Sequence, residues 1–429
     1  MKKLNIFERI INPFKHSPDI APPKSLFAFY WFYLKQVKGP LIVLFIVGFF
    51  AALLDIVLFK YIGDIVDIIQ SVQSPSELFA QHQSTFLWML AVIVLIRPIV
   101  SLIHNIMMNQ VITTNFTSLI RWQQHNYLIK QSLNFFHSNF SGGIASRVMS
   151  TGQSVRNSVL MTIDSMWRVV ISALTTVILF VELNFWLAVP IVLWIIVYIL
   201  LLKYFLPKTR ERSHKSAKAR SRLMGHIVDT YSNILTLKLF SHSAREQEKT
   251  NQLMANQTNA ALYSTRLITT LDFSLMILNS LLIAATVIVS LLLWQDTLIS
   301  TGAIAFALSL VIRLNTMSTW VMKVVSGIFE DVGSVQDGIK IMTADREIMD
   351  DDNADQLSVP TGQIAFSNIN FAYHPDKPIY QDLNLNIASG EKVALVGPSG
   401  AGKTTLINLL LRLFDTQSGS ILIDGQNIQ

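Results

Sequence analysis

Eight consecutive residues, Gly397-Pro398-Ser399-Gly400-Ala401-Gly402-Lys403-Thr404, have the types and spacing to hold phosphate. They fit G-x-x-x-x-G-K-[ST], a loop whose glycines leave backbone N–H groups free to converge on phosphate oxygens. A helix opening directly after such a loop aims the positive end of its dipole at the same point. Lys403 would reach the terminal phosphates, the Thr404 hydroxyl would ligate Mg²⁺, and Thr405 would complete the cradle. Glycine-rich turns with an incidental lysine also match this pattern, so the flanks decide. Lys392-Val393-Ala394-Leu395-Val396 reads as a buried strand, and Thr405 to Phe414 places leucines and Ile407 at helical spacing. Strand, glycine loop and helix thus follow one another in the order that phosphate binding needs.

The rest of the chain is of a different texture. Of 429 residues, 51% are hydrophobic and 14% charged, a balance that suits a membrane protein. The net charge of +6 does not point to nucleic acid, because the basic residues cluster beside apolar segments and suit an inner-leaflet surface and its lipids. The absence of cysteine excludes disulfides and thiolate metal sites, and the nine histidines form no recognisable ligand spacing. No cleavable signal peptide is evident.

Six stretches are long and apolar enough to span a bilayer, near 40–62, 86–108, 159–183, 185–206, 267–293 and 298–322. The connections after the first, third and fifth (Gln70–Thr85, Asn184, Gln295–Ile299) lack Lys and Arg, whereas Lys203–Lys249 is strongly basic. The positive-inside rule therefore places both termini and the two long loops in the cytoplasm, the protein being multi-pass in the inner cell membrane. Those long loops are not Gly/Pro-rich and are expected to be helical continuations of the spans, turning near Ser138–Gly143 and Asp229–Ser243. Ahead of the first span, a basic tail carries Lys2, Lys3, Arg9, Lys15 and Lys24. The aromatic run of Ser25–Lys38 then reads as a helix in the membrane interface, or else as the first turns of the first span.

Ionisable residues inside spans are costly in lipid and mark function or helix fastening. Asp164, Glu182 and Asp272 fall near span ends, within reach of solvent. Arg97, Arg313 and Asp55 lie deeper. They are expected either to face an internal cavity that meets substrate or simply to fasten helices as an Arg–Asp pair. Pro98 and Pro190 are expected to kink their helices.

Four segments follow from this reading. They are residues 1–39 (cytoplasmic tail and interfacial helix), 40–343 (six-helix membrane domain), 344–362 (an acidic linker with Asp350-Asp351-Asp352-Asn353) and 363–429 (part of an α/β phosphate-loop domain). In the last, strands are expected at Ile364–Phe366, Leu383–Ile387, Val393–Val396 and Ser420–Ile423. Asp424 beside Gly425 reads as a turn residue.

The assembly resembles an ATP-binding-cassette exporter half-transporter of the multidrug and lipid type. Phe371-Ala372-Tyr373 stands where that family has its adenine-stacking aromatic. The run from Leu385 through Gly390-Glu391 to Gly397 is similar to its approach to the phosphate loop, and Ser418 to Gly425 to the hairpin that follows. Phe135-Phe136, Gly142, Ile144 and Arg147 resemble its transmission helix, with Thr151 where an aspartate is common. The resemblance implies that Tyr373 stacks on adenine and that ATP and Mg²⁺ are the cofactors. It also implies a second copy as partner in a homodimer and ATP-driven export of a small hydrophobic or amphipathic substrate by alternating access. The family's glutamine loop, Leu-Ser-Gly-Gly signature, Asp-Glu pair and switch histidine do not occur before Gln429. A truncated chain that binds ATP without hydrolysing it is therefore expected, with no catalytic residue of its own. Two rival readings are a membrane scaffold or regulator that senses nucleotide, and a secondary transporter with a chance phosphate loop.

Overall fold

The computed structural model describes residues 6–15, 21–72, 75–139, 141–240, 243–350, 356–374 and 376–429. Lys2, Lys3 and the acidic run at 351–353 lie outside them. Among the described residues, six helices are long and apolar enough to cross a membrane: Lys38–Ser71, Gln81–Leu128, Ser141–Leu183, Phe185–Ser232, Ala244–Gln295 and Thr301–Met342. Five contain a stretch read from hydropathy, and the sixth, Thr301–Met342, begins three residues into its stretch. Helix is the form that satisfies every backbone polar group without water, which is why the apolar runs adopt it. The helices also run well past the apolar stretches, as the two long loops require. Short helices at Leu133–Ser138 and Ile234–Leu239 lie between them, the second inside the expected turn and the first just ahead of it, Gly142 and Gly143 being already helical.

The aromatic helix Leu26–Leu34 stands apart from the first span, the break falling at Lys35–Val37. It buries Phe29, Phe32 and Tyr33 and leaves Phe27 and Trp31 exposed. At Asn184 the chain turns in one residue, and its side-chain oxygen accepts from the Trp186 backbone N–H (3.0 Å), capping the fourth span. Pro98 acts through a widened helix. It cannot donate to residue 94 and its ring crowds that carbonyl, and the preceding Val92–Ile96 is π-helical. The fourth span runs unbroken past Pro190 and Pro207.

The chain forms two compact units. The first comprises residues 1–12, 34–117 and 153–335. Its core is Phe180, Leu187, Ile191, Leu271, Leu275, Leu310 and their neighbours. A polar knot sits among them. Trp194 Nε1 donates to Asn279 Oδ1 (3.0 Å), whose amide donates to Asn315 Oδ1 (2.8 Å) and Ser318 Oγ (2.7 Å). Buried polar groups in lipid must find such partners. The first and sixth spans touch backbone to backbone at Gly63 and Gly302, where any side chain on either residue would meet the other helix.

The second unit comprises residues 13–33, 118–152 and 336–429. Its sheet is antiparallel in the order β2-β1-β3-β4, with β1 Ile364–His374, β2 Lys377–Ile387, β3 Ser418–Ile423 and β4 Gln426–Asn427. The helix Lys403–Leu410 lays Leu406 and Leu409 on Phe366, Ile369, Phe371 and Ile421. One expected strand does not form. Lys392–Val396 pairs with no strand among the described residues and is exposed, Val396 to 89%. A parallel-type apolar strand is stable only with neighbours on its edges and cover on both faces, and β1–β4 pair among themselves instead. The helix also ends earlier than Phe414, because Arg412 adopts a left-handed conformation (φ 49°). Its guanidinium bonds Asp415 (3.1 Å), Asp350 (2.7 Å) and the Met349 carbonyl (2.6 Å).

Candidate nucleotide and cavity sites

The phosphate loop is held from below by β2. Gly402 is the left-handed N-cap of the helix Lys403–Leu410 (φ 88°), and its carbonyl accepts from the Tyr380 hydroxyl at 2.7 Å. A Cβ at Gly402 would lie 2.8 Å from that hydroxyl oxygen and 3.0 Å from Ile379, so both conformation and space require glycine. The loop itself, Gly397 to Ala401, faces solvent. Lys403 Nζ donates to the carbonyls of Gly397 (2.7 Å) and Pro398 (2.8 Å), which places its ammonium at the mouth of the loop. Thr404 is exposed beside it and Thr405 is buried. Tyr373 keeps 44% of its surface exposed while its ring makes T-shaped contacts with Phe371 (5.0 Å) and Phe414 (5.1 Å) and its hydroxyl reaches Thr405 Oγ1 (3.4 Å). A half-exposed aromatic ring beside a solvent-facing glycine loop, with one lysine and a threonine hydroxyl at its rim, fits a purine nucleotide and its phosphates. No cluster of three or more acidic or imidazole groups lies among the described residues, so a divalent ion here would rest on Thr404 and on phosphate oxygens.

Asp424 proves to be a turn anchor. Its carboxylate accepts from the Thr361 hydroxyl and backbone N–H (2.9 Å) and from the N–H groups of Gly362 (2.9 Å) and Gln363 (2.8 Å). The Thr361 hydroxyl, followed by these backbone donors, holds the Asp424 carboxyl well below the usual carboxylate range. A depressed folded-state pKa contributes stability above the unfolded value near ~4, and that stability is lost as pH falls through the lower folded value. Asp424→Asn is therefore expected to free residues 361–363 at neutral pH, read as faster amide hydrogen exchange there. The difference from the unsubstituted protein should close as acid protonates Asp424. Equal exchange at pH 7 would show that the turn stands without the carboxylate.

Between the phosphate-loop domain and the loop joining the second and third spans, the segment 344–350 is fastened at both ends. The Ala344 carbonyl accepts from Tyr127 (2.7 Å) and Gln131 (2.9 Å), and Glu347 accepts from Ser132 (2.6 Å) and Asn134 (3.1 Å). Arg147 pairs with Asp337 (3.1 Å), and Thr151, fully buried, lies against Gly338 where a Cβ would collide with it.

The membrane arginines divide into two roles. Asp55 is shared, bonding Arg313 at 3.2 Å and Arg97 at 3.5 Å. Arg97 and Asp55 line a cavity of about 290 Å³ together with Ser101, His104, Asn105 and Arg168. Arg313 does not line it, being the buried fastener of the pair. Arg168 and His104 were not evident in the sequence, since neither stands out until the helices are side by side. Asp164 is not at a solvent-reached span end. It is buried, 2.7 Å from His104 Nε2 and 2.5 Å from Arg168, because only these two partners make its burial tolerable. Glu182 and Asp272 are exposed.

The comparisons agree with this architecture. Residues 41–318 match the family model of the ABC transporter transmembrane region, and residues 380–429 that of the ABC transporter domain. An uncharacterized ABC transporter ATP-binding protein of Haemophilus influenzae is 36% identical over 98% of this chain and 68% of its own length. A fatty acid ABC transporter ATP-binding/permease protein of Mycobacterium bovis is 26% identical over 69% of this chain and 47% of its own. The solved structure of a bacterial Atm1-family ABC exporter with ATP bound superposes with a TM-score of 0.73 at 22% identity, covering 92% of this chain and 68% of that one, a likeness of fold. The chain thus spans between about half and two-thirds of the proteins it resembles.

Proposed function

Because the chain belongs to the ABC transporter family, we propose that the protein exports a small hydrophobic or amphipathic substrate by ATP-driven alternating access, as a homodimer of half-transporters in the inner membrane. The observation that carries this is the exposed phosphate loop at a helix N-terminus, in a chain whose other elements are six long membrane helices. ATP would lie with its adenine on the half-exposed ring of Tyr373 and its phosphates on the N–H groups of Gly397–Thr405. Lys403 would exchange its two carbonyl partners for phosphate oxygens, and Thr404 would ligate Mg²⁺. The fastened segment 344–350 supplies a short connection from this domain to the loop between the second and third spans. Motion of the nucleotide domain would pass through it to the helices. The nucleotide-sensing scaffold remains the reading to beat, since it needs the same loop without transport.

Inside-out membrane vesicles containing the full-length protein separate the two and test the orientation as well. ATP added outside reaches the nucleotide domain only if the termini are cytoplasmic. Accumulation of a fluorescent amphiphile that requires hydrolysable ATP is the expected result. Binding of ATP with no accumulation of any amphiphile would favour the scaffold.

A further inference from the structure

We propose that the cavity between the first three spans is a binding site for the anionic head group of an amphiphile, a carboxylate or a phosphate ester, read by Arg97 and Arg168. The proposal deepens the exporter reading and rests on it for its cargo, but the site is argued from its own geometry.

The argument begins with charge. Three guanidiniums, Arg97, Arg168 and Arg313, gather around two carboxylates, Asp55 and Asp164. One positive charge is left over inside the membrane, where an uncompensated charge is expensive. His104 brings no negative charge and is itself bonded to Asp164 at 2.7 Å. The surplus falls on Arg97. Asp55 is held by Arg313 at 3.2 Å and by Arg97 at only 3.5 Å, and the Arg97 side chain is 48% exposed against 13% for Arg313. Arg97 lines the cavity and gives only one nitrogen to Asp55, so its remaining donors are free of that carboxylate. Arg168 gives its Nε to the Asp164 carbonyl (3.4 Å) and one terminal nitrogen to the Asp164 carboxylate (2.5 Å) and is a third exposed, leaving its other terminal nitrogen for a second anion. A planar fork offering parallel N–H groups matches a carboxylate or phosphate.

Shape agrees with charge. About 290 Å³ is near the lower end of ligand pockets, enough for a head group with the tail left among the apolar faces of the spans. Three π-helical stretches bracket the cavity residues: Val92–Ile96 before Arg97, Ile106–Thr113 after Asn105, and Met161–Met166 before Arg168. Such widened turns are uncommon and recur where helices carry function, since each re-aims the side chains beside it. The neutral polar groups Ser101 and Asn105 complete the wall, and its one carboxylate, Asp55, is already bound twice.

The test needs neither nucleotide nor transport. The protein in phosphatidylcholine nanodiscs is titrated with 11-(dansylamino)undecanoic acid and, separately, with its neutral methyl ester. The acid is expected to bind at least about tenfold more tightly, the discrimination that one charge-assisted contact supplies. Arg97→Gln should remove the discrimination while leaving ester affinity unchanged. Ser101→Asp guards against misfolding: the site is exposed, and the new carboxylate, four residues from Arg97 on one helix face, neutralises it in place. It should also abolish preference for the acid. Adding phosphatidylglycerol to the nanodiscs distinguishes sources. Competition assigns the site to a bilayer lipid head group, and no competition assigns it to a free amphiphile. Equal affinity of unsubstituted protein for acid and ester, or equal loss of both in the variants, would overturn the proposal. A preference for the acid alongside failed ATP-driven accumulation would leave this site standing and remove the exporter reading alone.

Discussion

Lys403→Ala is expected to weaken ATP binding by about ten- to a hundredfold, the value of one hydrogen bond to a charged group, and to lower ATP turnover in the complete protein by ~10²–10³. Two effects combine. The substitution removes the one cation that the loop places at its own mouth, where the negative charge of the phosphates is concentrated. It also frees the carbonyls of Gly397 and Pro398 that the ammonium now bonds, and with them the conformation of the loop. Lys392→Ala is the matched control, an equal change of charge in an exposed stretch a few residues away. Calorimetric titration with ATP checks the outcome. Equal affinities for Lys403→Ala and Lys392→Ala would mean that the loop binds through its backbone alone, and that phosphate recognition here owes nothing to the lysine.

The contrast between Lys403 and Arg168 shows what a sequence can disclose. The phosphate loop was legible because its chemistry is local: seven or eight adjacent residues define both the turn and the helix that opens from it. The six spans were legible for a similar reason, since hydropathy and loop charge are read one segment at a time. Asp164 and Arg168 are four residues apart on one helix, yet the partner that explains the burial of Asp164, His104, lies 60 residues away. Nothing in the spacing joins them. Arg97 and Arg313 looked equivalent by depth in their spans, and only the placement of Asp55 between them separates the cavity residue from the fastener. Lys392–Val396 fails in the opposite direction. Its residues have strand propensity, but a strand is defined by neighbours, and here the edges go to β1–β4.

The contact of the first and sixth spans at Gly63 and Gly302 gives the second large effect. Gly302→Val is expected to destabilise the protein by at least about 3 kcal/mol, toward the upper end of overpacking costs. A Cβ built on Gly302 falls on the Gly63 carbonyl oxygen and on the Asp67 carboxylate, and one on Gly63 lies 2.7 Å from the Gly302 carbonyl oxygen and 2.9 Å from Phe306. Half of these are backbone atoms, which cannot swing aside as a flexible side chain can, and the Asp67 carboxylate is held in place by its own hydrogen bonds. Small residues are what allow membrane helices to approach so closely, because dispersion between backbones replaces a hydrophobic drive that lipid does not supply. The same contact also sets the start of the sixth span. Asp67 accepts from the Gly302 N–H (2.7 Å) and the Ser300 hydroxyl (2.7 Å), so a side chain at 302 would push away the group that caps its own helix. Gly48→Ala is the comparison, since Gly48 is buried on the first span but an added Cβ there meets nothing within 4 Å. Thermal unfolding of detergent-solubilised protein, followed by loss of the monodisperse peak in size exclusion, should show Gly302→Val melting well below both the unsubstituted protein and Gly48→Ala. Identical melting of the three would mean that the first and sixth spans separate at little cost, and that the Gly63–Gly302 contact is not a fixed joint of the fold.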